Sequence, residues 1–140
     1  MKTLTDKLYV AGQISVKDLD AIAEAGIKTI INNRPDGEML MQPKTADLAA
    51  RASELNISFH DIPVAGGQVL PGQKETFAEI LEQSDGPVLA FCRTGTRSTM
   101  LWALSQVHSL STEDILETAL KAGYDFRGHA SMLDAVREQG

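Results

Sequence analysis

The sequence predicts an α/β protein with a central, mostly parallel sheet flanked by helices on both faces. Short apolar runs alternate with amphipathic segments of helical period along the chain, a pattern typical of strand–helix–strand units. One run, Val88–Phe91, is apolar throughout, as expected of a central strand that is buried on both faces. With 140 residues, of which 43% are hydrophobic and 23% charged, the chain is expected to form one domain over residues 1–140.

The first predicted unit comprises a strand, a helix and a second strand. Leu8–Val10 is the first strand, Ser15 caps the helix, Gly26 ends it, and Ile27–Ile31 is a β-branched strand. The helix is expected to bury one apolar face, formed by Val16, Leu19, Ile22 and Ala23.

A polar loop, a helix and a third strand follow. Residues Asn32–Glu38 contain Pro-Asp-Gly turn chemistry and end the preceding strand. Pro43 is expected in the first turn of the helix, which extends to Leu55. Ile57–Ile62 is the next strand, and Pro63 ends it.

The remaining chain is predicted to hold one more strand and four helices. Gln73–Gln83 is the first helix, and Gly86-Pro87 breaks it before the strand Val88–Phe91, which leads directly to Cys92. The three later helices are Arg97 to about Val107, a segment from the cap residues Ser111 and Asp114 to near Gly123, and Ser131 to Glu138.

The segment Cys92–Ser98 carries the chemistry. A buried strand, a tight glycine-containing loop and a helix start together build an anion cradle, because the loop and first-turn N–H groups have no intrahelical partners. Such a position lowers the pKa of a thiol, so Cys92 is a candidate thiolate nucleophile. The planar guanidinium of Arg97 is suited to donate two parallel hydrogen bonds to a bound oxyanion.

The other loop residues have supporting roles in this interpretation. Gly95 lets the backbone approach a ligand closely, the Ser98 hydroxyl is placed to stabilise the thiolate, and Arg93 adds positive charge at the mouth. Thr94 and Thr96 are expected to orient the loop. A lone cysteine is more often a small buried hydrophobe, but that interpretation leaves the two arginines and the glycine unexplained.

A second polar segment is predicted at the same edge of the sheet. Arg34, Asp36 and Glu38 follow a strand that ends beside the one delivering Cys92. They either line the mouth of the pocket or form a hydrophilic turn. No functional role is predicted for Tyr124.

Charge and composition exclude several classes of partner. The net charge is −6, so the chain as a whole repels nucleic acid and anionic membranes. The single cysteine, Cys92, precludes an internal disulfide and suits a reducing compartment, and we expect a cytoplasmic protein. His60, His108 and His129 are too scattered for metal-ligand spacing, so neither a metal nor another cofactor is predicted.

These motifs resemble a known family. Cys92–Ser98 resembles the active loop of the cysteine-dependent phosphatase and rhodanese superfamilies. Three further segments are similar, in the same order, to the phosphatase-like domain of beta-lactamase-hydrolase-like proteins, also called DUF442: Val10–Gln13, Gly26–Glu38 and Ile62–Val64. The resemblance extends from about Leu8 to Tyr124 and implies a dual-specificity-phosphatase-like fold.

The resemblance implies two chemistries. Four residues separate Cys92 from Arg97, whereas phosphatases of this fold have one more, and the shorter loop is similar to that of rhodaneses. A phosphatase also needs a general acid for the leaving oxygen, yet residues 64–71 contain no Asp, Glu or His. Asp61, 31 positions before Cys92, is the only substitute, unless it is a strand-end residue that bonds to the backbone.

Both features favour a sulfurtransferase in which Cys92, as a persulfide, carries sulfur from thiosulfate or a related donor to a thiol acceptor. The alternative is a phosphatase that forms a thiophosphate on Cys92, with Asp61 as the acid; a non-catalytic oxyanion-binding module is the third possibility. The expected partner is a small anion: thiosulfate, a persulfide or a phosphoester. Because the family also occurs fused to a domain that handles glutathione persulfide, the resemblance implies a separate persulfide dioxygenase as a further partner.

Overall fold

The computed structural model describes residues 1–139 and contains one five-stranded sheet. The strands are β1 (Lys2–Thr3), β2 (Leu8–Ala11), β3 (Thr29–Asn32), β4 (Ser58–Asp61) and β5 (Val88–Phe91). They lie in the order β1-β2-β5-β3-β4, and only β1 runs antiparallel to its neighbour. The four parallel strands therefore deliver the residues that follow them to one edge of the sheet.

Six helices cover the two faces. They are α1 (Asp18–Glu24), α2 (Thr45–Glu54), α3 (Gln73–Gln83), α4 (Thr96–Ser105), α5 (Thr112–Lys121) and α6 (Ala130–Glu138), and a short 3₁₀ turn, Arg127–His129, precedes the last. Two hydrophobic clusters form: α1 and α2 pack on one face, and α3 to α6 pack on the other. The predicted α/β fold with helices on both faces is confirmed.

Strand β5 is the centre of the sheet, as predicted. Its side chains alternate between the two clusters: Leu89 and Phe91 face α1 and α2, whereas Val88 and Ala90 face the other helices. All four are fully buried. Burial on both faces of the sheet explains why this strand is a continuous apolar run, and it fixes the position from which Cys92 emerges.

Three details differ from the sequence-based expectation. Strand β1 was not predicted, because two exposed residues carry no hydrophobic alternation. Helix α1 begins at Asp18, whose N–H donates to the Ser15 hydroxyl, and Val16 is therefore exposed in a turn rather than on the apolar face. Pro43 precedes α2 instead of lying in its first turn. The predicted bounds of α3 and β5 are confirmed, and the other predicted bounds shift by one or two residues.

Among residues 1–139, no helix combines the length and the apolar character that crossing a bilayer would demand.

Candidate active site

Cys92 lies immediately after β5, in a tight loop that leads into α4. Gly95 adopts a left-handed conformation, with φ of 91°, and reverses the chain so that its own N–H donates to the Cys92 Sγ atom at 3.1 Å. A side chain at this position would be strained, which explains the glycine. The loop thus curls its backbone N–H groups around a fully buried sulfur.

The surroundings of Cys92 favour the thiolate. Burial on its own would raise the pKa of Cys92, but hydrogen bonds from the backbone N–H groups of Ser98, Thr94, Arg97 and Gly95 act against it. The net effect is a pKa below the ordinary value of a cysteine. Because the donors are backbone groups at a helix N-terminus, the stabilisation is built into the loop conformation.

We expect the Cys92 thiol to titrate at lower pH in the folded protein than in urea-unfolded protein, because only the folded loop supplies the N–H donors. The thiolate fraction, and with it any reaction that needs the thiolate, falls as the pH drops through this lowered pKa. Since the chain has one cysteine, ultraviolet absorbance of the thiolate reports Cys92 alone, with Cys92→Ser protein as the blank. A folded-state midpoint at or above that of the unfolded chain would contradict the prediction.

Arg97 is held by two partners and keeps one edge open. Its Nη1 donates to Glu38 Oε2 at 2.7 Å and to the Val64 carbonyl at 2.8 Å, and its Nη2 donates to Glu38 Oε1 at 2.8 Å. A guanidinium has five N–H donors. The Nε–H and the second Nη2–H lie side by side, have no oxygen partner among residues 1–139, and are available to an oxyanion bound beside the Cys92 sulfur. The pKa of Arg97 is raised chiefly by Glu38, and the Cys92 sulfur also contributes.

Glu38 is the carboxylate that orients the arginines. Besides the paired contact with Arg97, its Oε1 accepts a hydrogen bond from Arg34 Nε at 2.9 Å. The hydrogen bond from Arg97, aided by Arg34, lowers the pKa of Glu38 to about 2, so Glu38 is ionised at neutral pH. Arg34, Asp36 and Glu38 were expected either to line the pocket or to form a hydrophilic turn. The structure places Arg34 and Glu38 in the pocket wall, whereas Asp36 accepts hydrogen bonds from Thr45 at the start of α2.

A cavity of about 490 Å³ adjoins Arg97. Its lining residues are Arg34, Glu38, Met39, Gly66, Gly67, Arg93 and Arg97. The structure therefore brings three loops together: the polar loop after β3, the loop before α3 that contains Gly66 and Gly67 (the glycine loop), and the segment Cys92–Ser98 (the cysteine loop).

The small polar residues of the cysteine loop lie at different depths. The Ser98 hydroxyl is fully buried and has no hydrogen-bond partner within residues 1–139, while its backbone N–H stabilises the Cys92 thiolate. Thr94 and Thr96 are exposed, and their hydroxyls are 3.0 Å apart. Their roles in binding a substrate stay predictions.

Asp61 lies away from the other predicted catalytic residues. Strand β3 separates it from β5 in the sheet, and its Oδ1 accepts a hydrogen bond from Asn32 Nδ2 at 3.0 Å. Burial, and to a lesser extent the charge of Asp36, raises the pKa of Asp61, while the Asn32 hydrogen bond opposes the change. The structure thus places Asp61 in a polar cluster with Asn32 and Asp36, and its role as a general acid stays a prediction.

Comparison with known proteins identifies the family. Residues 1–109 match the model of the family described as Beta-lactamase hydrolase-like protein, phosphatase-like domain. The chain belongs to this family. Beta-lactamase hydrolase-like proteins of Agrobacterium fabrum and of Xylella fastidiosa strain Temecula1 are 30% and 33% identical over 87% and 74% of the chain. The chain spans only 29% and 24% of the length of these curated relatives.

Solved structures agree with this assignment. A candidate phosphatase of Neisseria meningitidis is 34% identical, with 96% of both chains covered and a TM-score of 0.85. The active form of Tk-PTP, 15% identical with 99% and 97% of the chains covered, gives a TM-score of 0.77. Kinase-associated phosphatase, 18% identical over 94% and 85%, gives 0.75. The last two establish only the fold, which is that of cysteine-dependent dual-specificity phosphatases.

The family resemblance seen in the sequence now has a structural explanation. The Gln13 N–H donates to the Arg93 carbonyl at 3.2 Å, and the Gln13 Oε1 accepts a hydrogen bond from Arg34 Nη1 at 3.0 Å. With Glu38 and Arg97, these residues form one continuous hydrogen-bonded row along the pocket. Motifs that are far apart in the sequence of this phosphatase-like domain therefore converge at the cysteine loop.

Tyr124 is a site residue that sequence reasoning missed. Its hydroxyl donates to the Thr94 carbonyl at 3.0 Å, and its ring, which is buried, lies against Gly95. Lys2 Nζ lies over the Tyr124 ring, 4.9 Å from its centroid. Tyr124 therefore packs against the cysteine loop and holds it by a hydrogen bond. No local sequence pattern predicts this contact, because it joins residues 30 positions apart.

Proposed function

We propose that this chain is a cysteine-dependent phosphatase in which Cys92 is the nucleophile. The observation that carries the proposal is the buried Cys92 sulfur, surrounded by loop N–H donors and adjoined by the open edge of Arg97. The family and the structural neighbours, all phosphatase-like, support it. The sequence alone favoured a sulfurtransferase over a phosphatase. We reverse that preference, since the relatives are described as phosphatase-like and none of them as a sulfurtransferase.

The reaction has two steps. The Cys92 thiolate attacks phosphorus, an S–P bond forms, and the P–O bond to the leaving group breaks with its electron pair on the leaving oxygen. Water then attacks phosphorus, phosphate is released, and the thiolate is regenerated. The loop N–H groups and the Nε and Nη2 donors of Arg97 stabilise the negative charge on the non-bridging oxygens in both steps.

We infer that no group beside Arg97 is placed to protonate the leaving group. Residues 64–71 contain no Asp, Glu or His. Strand β3 separates Asp61 from the strand that leads to Cys92, and Glu38, with its pKa of about 2, carries no proton to give. Leaving groups of low pKa need no proton. The proposed enzyme therefore favours aryl phosphates or other activated phosphoryl compounds over simple alkyl phosphates.

A sulfurtransferase is the second candidate. Two observations favour it: no general acid lies beside Arg97 to protonate a leaving group, and only four residues separate Cys92 from Arg97. In this reaction the thiolate attacks the outer sulfur of thiosulfate, the S–S bond breaks, and sulfite leaves with the electron pair. The resulting persulfide passes its sulfur to a thiol. A separate persulfide dioxygenase as partner belongs to this second candidate, and a cytoplasmic location is proposed for either reaction.

We expect reduced wild-type protein to hydrolyse 4-nitrophenyl phosphate, and Asp61→Asn protein to retain the rate within about threefold, because Asp61 is not at the sulfur. Product release and intact mass after incubation with thiosulfate are measured on the same sample. A thiol-reversible gain of one sulfur without phosphate release would replace phosphatase by sulfurtransferase. If the protein neither releases phosphate from 4-nitrophenyl phosphate nor gains sulfur from thiosulfate, but still binds phosphate, it is an oxyanion-binding module.

A further inference from the structure

Arg34 is a buried cation with an unused donor. It is only 4% exposed, its Nε donates to Glu38 and its Nη1 donates to Gln13. Its Nη2 is buried and has no hydrogen-bond partner within the described residues. A buried N–H without a partner is costly, and such groups in native proteins commonly await a ligand or an ordered water. Arg34 lines the 490 Å³ cavity beside Arg97.

Arg93 stands on the same cavity wall. It is exposed, and no carboxylate of residues 1–139 lies within ion-pair distance of it. Its carbonyl accepts a hydrogen bond from the Gln13 N–H. Gly12 packs so closely against the same carbonyl that an added Cβ would lie 2.9 Å from its oxygen. Gln13 thus contacts both the backbone of Arg93 and the side chain of Arg34.

The cavity wall is positive in a negative protein. Three arginines, Arg34, Arg93 and Arg97, face one carboxylate, Glu38, so two positive charges remain uncompensated there. The chain as a whole has a net charge of −6. The open edge of Arg97 serves the group that reacts at Cys92, which leaves Arg34 and Arg93 for a second anion.

We propose that Arg34 and Arg93 form a leaving-group site, and that the substrate has a leaving group that is already anionic when bound. This inference rests on the proposed function and refines its substrate class. The chemistry common to the candidates is an oxyanionic leaving group: phosphate from a phosphoanhydride, or sulfite from thiosulfate. The two arginines stabilise this group as it departs and replace the general acid that the site lacks.

The bond changes follow the two-step reaction above. With a phosphoanhydride, the Cys92 thiolate attacks the terminal phosphorus, and the bond to the bridging oxygen breaks with its electron pair on the departing phosphate. The protein transfers no proton, because pyrophosphate at neutral pH carries a proton of its own and the group departs as hydrogen phosphate. With thiosulfate, the S–S bond breaks and sulfite departs in the same place.

The test compares two phosphoryl donors and thiosulfate in wild-type and Arg93→Gln protein. Pyrophosphate and thiosulfate have a leaving group that is charged in the bound substrate, whereas the nitrophenyl group of 4-nitrophenyl phosphate is neutral before cleavage. We expect Arg93→Gln to lower kcat/KM for pyrophosphate or thiosulfate about tenfold or more and for 4-nitrophenyl phosphate less than threefold. Arg34→Gln, checked for folding by circular dichroism, should also lower kcat/KM more for pyrophosphate or thiosulfate than for 4-nitrophenyl phosphate, but all three values should fall, because it removes a hydrogen bond from Glu38. Arg127→Gln, at an exposed position paired with Asp125, is the matched control. It should leave kcat/KM unchanged for all three substrates.

A binding experiment separates this inference from the proposed function. In Cys92→Ser protein, which cannot turn over, calorimetry should show pyrophosphate binding more tightly than phosphate, and Arg93→Gln should remove most of that preference. Equal losses on all substrates, or an unchanged binding preference, would overturn the leaving-group site. If wild-type protein turns over none of the substrates while the binding preference depends on Arg93, the proposed function fails and the second anion site stands.

Discussion

Cys92→Ser protein is expected to lose turnover of 4-nitrophenyl phosphate, or of thiosulfate, by roughly 10³-fold or more. A serine hydroxyl at this position stays protonated at neutral pH, whereas the loop lowers the pKa of the Cys92 thiol. Binding of inorganic phosphate is expected to persist or tighten. Its donors are backbone N–H groups and Arg97, none of which is changed, and the negative charge of the thiolate is gone.

Steady-state kinetics and calorimetry with inorganic phosphate on the same preparations measure the two quantities. The pairing of lost turnover with retained binding distinguishes loss of the nucleophile from loss of the loop structure. Residual activity within about tenfold of wild type would show that another group attacks the substrate. Loss of phosphate binding together with activity would show that the sulfur is needed for the loop conformation.

Gly95→Ala protein is expected to lose activity by about 10²-fold, the second largest effect. The left-handed φ of 91° strains any side chain, and the added Cβ would clash with the Tyr124 hydroxyl oxygen. Either the loop or Tyr124 must move, and the Gly95 N–H that donates to the sulfur moves with it. We therefore also expect the pKa of Cys92 to rise and the free energy of unfolding to fall by about 1–3 kcal/mol.

Activity assays, thiolate titration and urea unfolding measure these effects. Gly128→Ala is the matched control, because a Cβ on Gly128 meets no atom within 4 Å and its φ is not left-handed. The double variant Gly95→Ala with Tyr124→Phe should recover part of the loss, since the hydroxyl oxygen is the atom the Cβ meets first. Wild-type activity in Gly95→Ala alone would refute this account of the loop.

Local sequence signals explain what could be predicted of the fold. The uninterrupted apolar run Val88–Phe91 and the Gly-Pro break before it predicted both bounds of β5. A strand that is buried on both faces is apolar at every position, so the run itself marks where the strand begins and ends. The reciprocal pattern of Ser111 and Asp114 predicted the cap of α5, where the Asp114 N–H donates to the Ser111 hydroxyl. Strand β1 could not be predicted, because its pairing with β2 is its only distinguishing feature.

Asp61 shows what sequence spacing alone does not determine. Its separation from Cys92 suggested a general acid, but separation along the chain does not state which neighbour a side chain reaches. Strand pairing places Asp61 opposite Asn32, and β3 then stands between it and β5. Its hydrogen bond and its raised pKa both reflect that position.

The sequence by itself determined the α/β architecture, the cysteine loop and its helix start, because hydrophobic period, turn residues and the conformation of glycine act over a few neighbouring residues. Only the tertiary structure decided which groups complete the site. Glu38 meets Arg97 across 59 positions, and Tyr124 meets Thr94 across 30. Such contacts depend on the strand order and on the loops that the parallel strands deliver to one edge, and neither is written in the spacing of any single segment.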